Sequence, residues 1–390
     1  MARLKHRRLT VSTVGVVVSA IVLTACSSGS GGSSDAGSGS SNSSSADKAA
    51  LDELFKGNEG TPPTSSPPAA KGKSVWWISC GQVSAACSGY AAAGETAAKA
   101  IGWDFHVADG NLNMANGEAT ALRTALAAHP DAIILDAFSC SGVQPELQQA
   151  QQQGIPVLGL ETTDCSDAGT GPSLFTVPMI YSDTYPDNKA WWTGWGTWSG
   201  DFIAADSGGH AKIIAAPGQG DPQFDLLSAG FKDSLSKCSG CTVINVPWTL
   251  ADLAPNGPWI TALRNALVKN PDADYVWFPF DFNAVESGGA KAVLQSGSKA
   301  KVISNTGLGE VLDLVRSGQV YAEASSRSSE WESWAAMDEL NRHFNGQPSV
   351  PEGLGYISIT KDHNLPSEAG SSYQTPVDFQ AAYKKAWGVG

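Results

Sequence analysis

The sequence predicts an α/β protein made of two similar lobes, each a doubly wound parallel sheet, and three observations lead there. The run Thr120, Ala121, Leu122, Arg123, Ala125, Leu126, Pro130, Asp131, Ala132 recurs at the same spacing as Thr261, Ala262, Leu263, Arg264, Ala266, Leu267, Pro271, Asp272, Ala273. In each copy an amphipathic helix ends near a proline and an apolar strand follows at once. Short strands, apolar throughout, alternate with helices along the body, as expected of sheets covered on both faces. The stretch 73–390 also exceeds the size at which one core keeps growing.

The N-terminal elements come first. Lys5, His6, Arg7 and Arg8 precede an apolar run from Leu9 that closes on Leu23, Thr24, Ala25 and Cys26. The run is too short for a comfortable span of about 20 residues. This segment resembles a bacterial lipoprotein signal. The resemblance implies that 1–25 are removed and that Cys26 becomes the N-terminus, its sulfur carrying a diacylglycerol that anchors the chain. The Ser/Gly stretch 27–46 cannot bury enough apolar surface to order itself, so it reads as a leash. An amphipathic stretch over 49–56 predicts a helix lying on the body, and the Pro-rich 61–68 a stiff spacer. Residues 26–72 are thus expected to form a lipid-anchored Ser/Gly/Pro-rich tether with a short helix.

In the first half of the body, strands are predicted at 75–79, 104–107, 133–135, 157–160 and 174–177, with helices at 90–100, 119–128 and 145–153. In the second half the strands are 212–215, 242–246, 275–278, 302–304 and 321–323, and the helices 188–205, 224–235, 259–268, 284–295 and 311–315. Right-handed crossovers place all strand-to-helix loops of a lobe on one sheet edge, where ligands bind.

Lys and Arg number 25 against 38 Asp and Glu, a formal charge of -13, which repels phosphate backbones and excludes nucleic acid as a partner. Without Cys26, six cysteines remain, an even number that favours disulfides in an oxidising compartment. The strand layout puts Cys80, Cys140 and Cys165 just beyond the carboxyl ends of strands, and the expected pairs are sequence-local: Cys80 with Cys87, Cys140 with Cys165, Cys238 with Cys241. The last pair follows a helix and precedes a strand, so it reads as a stapled turn; a redox motif would open a helix. Zinc would need a second such pair or histidines at ligand spacing. No metal and no cofactor are expected.

Three features carry a resemblance over nearly the whole chain from Ser74: the opening strand and loop Trp76, Trp77, Ile78, Ser79, Cys80, Gly81; the Gly-Ile-Pro turn and strand at 154–160; and Ser182, Asp183 at a lobe crossover. Together with the N-terminal signal, they resemble type I periplasmic binding proteins of the ribose-binding family. The resemblance implies three crossings between lobes, near 181–185, 325–328 and 355, that form a three-strand hinge. Lobe one would comprise 73–181 plus 327–355, and lobe two 182–326 plus 356–390. It implies a monomeric receptor on the extracytoplasmic face of the plasma membrane, touching the membrane through its lipid anchor alone. The receptor would hold a small solute, a carbohydrate, and hand it to an ABC permease driven by its ATPase. Signalling to a membrane sensor, or reception of a polyol, nucleoside or autoinducer, stays open as the alternative. An enzyme is not expected: there is no G-x-S-x-G and no H-E-x-x-H, and Gly218, Gln219, Gly220 lacks the rest of a phosphate loop.

Sugar sites combine polar groups that replace hydroxyl hydration with aromatic faces. The strand-edge loops offer Gln82 and Ser84, Asp136, Glu161 and Thr162 in lobe one. Lobe two offers Asp221 and Gln223, Trp248, Phe280 and Asp281, and Asn305; Ser326 and Arg327 lie at the second crossing. The resemblance puts family ligand positions near Asp136, Glu161, Asp281, Asn305 and Ser326, with Trp248 as a wall. It departs at Glu161 and Thr162, where the family has Asp then Arg, and at Ala85, Ala86 and Cys87, where it has paired aromatics. Arg327 has a second reading, a pairing with Glu330. Trp191, Trp195 and Trp198 recur at helical spacing and read as a core face.

Overall fold

The computed structural model describes residues 45–252 and 257–390. The predicted signal, Cys26 and most of the Ser/Gly leash lie outside the described residues. After helix α1 (Ser45–Lys56), the first sheet is built from β1 (Ser74–Ser79), β2 (Asp104–Asp109), β3 (Ala132–Asp136) and β4 (Val157–Leu160), with α2 (Ala85–Ile101), α3 (Gly117–Ala127) and α4 (Gln144–Gln153) in the crossovers. Its strands run parallel in the order β2-β1-β3-β4. Turn chemistry sets the helix ends: α2 stops at Gly102 and α4 at Gly154, both left-handed, where glycine alone avoids a Cβ clash. The predicted strand 174–177 forms only an isolated bridge, Leu158 to Val177. Pro178, which has no N–H to donate, follows at once and stops the ladder.

The second sheet has the order β10-β9-β8-β7-β5-β6. It comprises β5 (His210–Ala215), β6 (Gly240–Asn245), β7 (Tyr275–Trp277), β8 (Lys301–Ser304), β9 (Ala322–Ser326) and β10 (Ile357–Thr360). Only β10, which the sequence reading missed, runs antiparallel, against β9. The helices are α5 (Asn188–Asp206), α6 (Pro222–Ser236), α7 (Pro258–Lys269), α8 (Asp281–Ala284), α9 (Gly289–Ser296) and α10 (Gly309–Ser317), followed by α11 (Ser329–Phe344) and α12 (Phe379–Trp387). The predicted helix 284–295 is broken because Gly288 turns left-handed at φ 81°. Asp187 caps α5 by accepting the Ala190 N–H at 2.7 Å, and Asp221 caps α6 from Gln223 at 3.3 Å. Helices α5 and α6 nearly touch backbone to backbone. A Cβ on Gly196 would lie 1.9 Å from the Leu227 carbonyl oxygen, and one on Gly230 would lie 2.0 Å from that of Thr193.

The chain passes between the sheets at 181–187, 326–328 and 353–357, and these segments lie side by side. Leu354 N–H donates to the Tyr181 carbonyl at 2.7 Å, and the Tyr356 hydroxyl to that of Trp191. Two assignments need correction. Residues 356–390 do not all stay with the second sheet, because α12 returns to pack on α11 and α2 beside the first. The pull is aromatic burial: Trp387 stacks on Trp334 at 5.5 Å and donates from its indole to Asp338 at 2.7 Å. Nor does 61–68, expected as a stiff spacer within the tether, stand clear of the lobes. Asn341 and Arg342 of α11 donate to the Pro67 and Ser65 carbonyls, holding it on the body. The three disulfides join Cys80 to Cys87, Cys140 to Cys165 and Cys238 to Cys241, with Cα separations of 5.6, 5.1 and 5.3 Å. Among the described residues no helix is long and apolar enough to cross a membrane.

Candidate functional site

The carboxyl ends of both sheets converge on one buried cluster of charge and aromatic rings. At its centre, Arg327 Nε donates to Glu161 Oε1 at 2.6 Å and lies 3.3 Å from Glu332 Oε1, while its guanidinium covers the Trp195 ring at 3.6 Å. All four side chains are buried. Burial opposes the charge on Arg327, but Glu161, Tyr90 and Glu332 outweigh it and keep the cation. Burial pushes the Glu332 carboxyl well above its ordinary range, and the neighbouring Glu161 adds to the rise. The Glu332 carboxyl is thereby biased toward its neutral form, and the Tyr90 hydroxyl donates to it at 3.1 Å.

Glu161 sits at the end of β4 with φ at 48°, a left-handed turn uncommon outside glycine. Its backbone pays for that turn with bonds on every side: its N–H donates to the Tyr181 hydroxyl at 2.7 Å, and the Trp192 indole donates to its carbonyl. The Trp191 indole donates to Oε1. One strand over, Asp136 ends β3, accepts from the Trp77 indole at 3.1 Å through Oδ2, and has no protein partner on Oδ1. Burial holds its carboxyl well above the usual range. Gln223 reaches across from α6 to the Ala137 carbonyl at 3.3 Å, leaving Oε1 without a partner. Phe280 closes the other side, its ring 5.1 Å from Trp195, 5.6 Å from Phe224 and 6.0 Å from Trp248.

Other predicted residues are engaged by the protein itself. Thr162 donates to the Leu135 and Leu160 carbonyls. Asn305 donates to the Phe278 carbonyl through Nδ2, and its Oδ1 accepts from Ser199 and Ser325. Asp281 accepts from Ser304 and from Leu308 N–H. Burial raises it to about 6, and Glu323 beside it, raised further by burial and by Asp281, holds the pair's proton. Through these bonds Asp281 and Asn305 hold the loops after β7 and β8. Gln82 is exposed at the rim, donating to Ser79, and Ser84 is the buried N-cap residue of α2. Ser326 is buried with its hydroxyl unpartnered. Trp248 faces Phe224, its indole donating to the Ala216 carbonyl.

Arg327 does not pair with Glu330. It lies in the extended link before the Ser328 N-cap, so helical spacing does not govern its reach, and Glu332 is the partner. Sequence reasoning also missed Trp77, Tyr90 and Trp195, which it placed in strand, helix and core. Their polar atoms had no visible signal apart from the recurrence of Trp191 and Trp195.

Residues 87–348 match the family model of the periplasmic binding protein domain. The chain belongs to that family. Among curated proteins no sequence matches. The periplasmic binding protein fold is shared with GanP, a glucose-galactose binding protein from Geobacillus stearothermophilus, at 19% identity and a TM-score of 0.63 over 76% of this chain and 100% of that one. It is shared too with an ABC transporter solute binding protein from Agrobacterium vitis bound with α-D-tagatopyranose, at 22% identity and 0.63 over 78% and 100%. The arabinose ABC transporter binding component from Shewanella sp. ANA-3, bound to L-arabinofuranose, gives 19% and 0.60 over 80% and 95%.

Proposed function

We propose that this periplasmic binding protein is an extracytoplasmic receptor for a small polyhydroxylated solute, a sugar or sugar alcohol, which it holds between its lobes and delivers to an ABC importer. The lipoprotein-type N-terminus would keep it tethered at the outer face of the membrane. One observation carries the reading. Buried polar atoms without protein partners come from both lobes: Asp136 Oδ1, Arg327 Nη1 and Glu332 Oε2 from one, and Gln223 Oε1, Trp195 Nε1 and both amide atoms of Asn283 from the other. Each such atom costs about 1–3 kcal/mol when left unpaired. A ligand bearing several hydroxyls pairs donors and acceptors alike, and the Trp195 and Phe280 rings suit its C–H faces. Its differential affinity for the closed arrangement would draw the lobes together.

The test is mass spectrometry of small molecules released from the purified protein, followed by thermal-shift titration with D-galactose, L-arabinose, D-tagatose and allitol. A true ligand at a hundredfold excess over its Kd stabilises by about 2.7 kcal/mol. Release of an unrelated solute class, with no sugar or polyol raising the melting temperature, would overturn the proposal.

A further inference from the structure

We infer that residues 57–70 form a strap that, with the C-terminal return at 373–378, adds a second layer to the hinge and restrains lobe opening. This rests on reading the lobes as a closing receptor. The strap is bonded at three stations. Toward the second sheet, Asn364 donates to the Phe55 carbonyl at 2.6 Å, just before the strap begins. Glu59 accepts from Tyr373 and Thr375, both at 2.9 Å, which ties the strap to the other added crossing.

Over the hinge, Asn58 pairs with the Tyr356 backbone at both N–H and C=O, and its side chain donates to the Tyr185 hydroxyl at 3.0 Å. Beside the first sheet, Asn341 clasps Pro67 and Ala70, and Ala69 N–H donates to the Trp387 carbonyl at 3.0 Å. The third crossing is shaped to receive the strap. A Cβ on Gly353 would lie 2.3 Å from the Thr61 carbonyl oxygen, and one on Gly355 would lie 2.4 Å from Asn58 Oδ1. Rotation that parts the sheet tips must shear bonds at one station or another, because the strap holds both lobes and the hinge between them. It therefore favours the closed arrangement and slows solute release.

The test uses ligand-free protein, so its failure leaves the solute assignment untouched. Spin labels placed through Thr124→Cys on α3 and Lys232→Cys on α6, both exposed, report the separation of the lobes by pulsed electron resonance. In the Asn58→Ala, Glu59→Ala double variant, the long-distance population should grow severalfold over the parent. A second variant, carrying a Gly/Ser insertion after Thr64, slackens the strap with every bonding side chain intact, and should shift the same way. Should the alanine variant fail to melt cooperatively, the insertion decides. Distance distributions that match the parent in a folded variant would overturn the inference.

Discussion

Replacing Arg327 by Met tests whether the charge cluster is a single electrostatic unit. Met keeps most of the stem's volume and removes a cation that lies 2.6 and 3.3 Å from two carboxylates with almost no solvent contact. An attraction at that distance is weak in water but large in a buried site. Breaking a buried pair by deleting one partner costs about 3–5 kcal/mol, mostly because the remaining charge has no compensation. The Trp195 face also loses its guanidinium. At about 2–4 °C per kcal/mol for a domain of this class, the melting temperature should fall by roughly 6–20 °C at neutral pH.

The loss should depend on pH with a defined sign. Burial already holds the Glu332 carboxyl well above its ordinary range and Arg327 pulls it down, so without the cation the folded state holds that proton more tightly still, while the unfolded chain, with carboxyl pKa values near 4.3, releases it. Each extra proton stabilises the fold by about 1.4 kcal/mol per unit of acidification. The deficit of the variant relative to the parent should therefore shrink between pH 8 and pH 5. Guanidinium melts of both proteins across that range measure it. A deficit below about 1 kcal/mol at pH 7.5, against the 3–5 expected, or one that widens in acid, would refute the reasoning.

The parent itself should be more stable in mild acid. Burial raises Glu118 to about 8, Glu339 to about 7 and Asp221 to about 6. Because these folded-state values exceed the unfolded ones, their contribution is complete below about pH 4 and is lost as pH rises toward 8; a higher denaturation midpoint at pH 8 than at pH 5 would contradict this. Cys140→Ser with Cys165→Ser removes a link across 25 residues, for which loop entropy gives about 3–4 kcal/mol. It also frees the loops after β3 and β4, so both the denaturation midpoint and affinity for a solute found by the thermal-shift screen should fall, and an unchanged pair of values counts against the stapling role. Gly196→Ala forces α5 from α6 and should cost at least the roughly 1–3 kcal/mol typical of overpacking; a variant as stable as the parent would mean the helices part freely.

The fold was legible because each strand carried its own apolar run and each helix its own stop signal. Pro130 and Pro271 ended helices in both halves, and Gly154 turned α4 into β4. What escaped was long-range. β10 lies beside β9 only after α11 has come and gone, and its Ile-Ser-Ile-Thr pattern does not announce an antiparallel edge. The return of α12 depends on Trp334 and Trp387 meeting across 53 positions, which no local window reveals. Within the buried cluster, placement at a strand end was the useful signal: it named Asp136, Glu161, Gln223, Phe280 and Arg327, which the structure brings together. It could not tell an unpartnered oxygen from one already held, and so it offered Thr162, Asp281 and Asn305 on equal terms. That distinction belongs to hydrogen-bond geometry, which appears only when the loops from several strands are side by side.

If the proposed function holds, the two sides of the buried cluster set an order of events, because they are built differently. On the first sheet, the loops after β3 and β4 are joined by Cys140 and Cys165, Asp136 is steadied by Trp77, and Glu161 is fixed by Tyr181, Trp191 and Trp192. Such a surface needs little ordering when a solute arrives, which keeps the entropic cost of binding low. On the second, the contributions are Phe280, which is half-buried, and the amides of Gln223, whose Oε1 is unpartnered, and of Asn283, with both amide atoms unpartnered. A solute should therefore dock first on the rigid, charged half and then gather the aromatic and amide half over it. Asp136→Asn would then slow association, whereas Gln223→Ala would act mainly on dissociation. Stopped-flow tryptophan fluorescence with a solute identified by the thermal-shift screen separates the two rates, and equal effects of both variants on association would reverse the order.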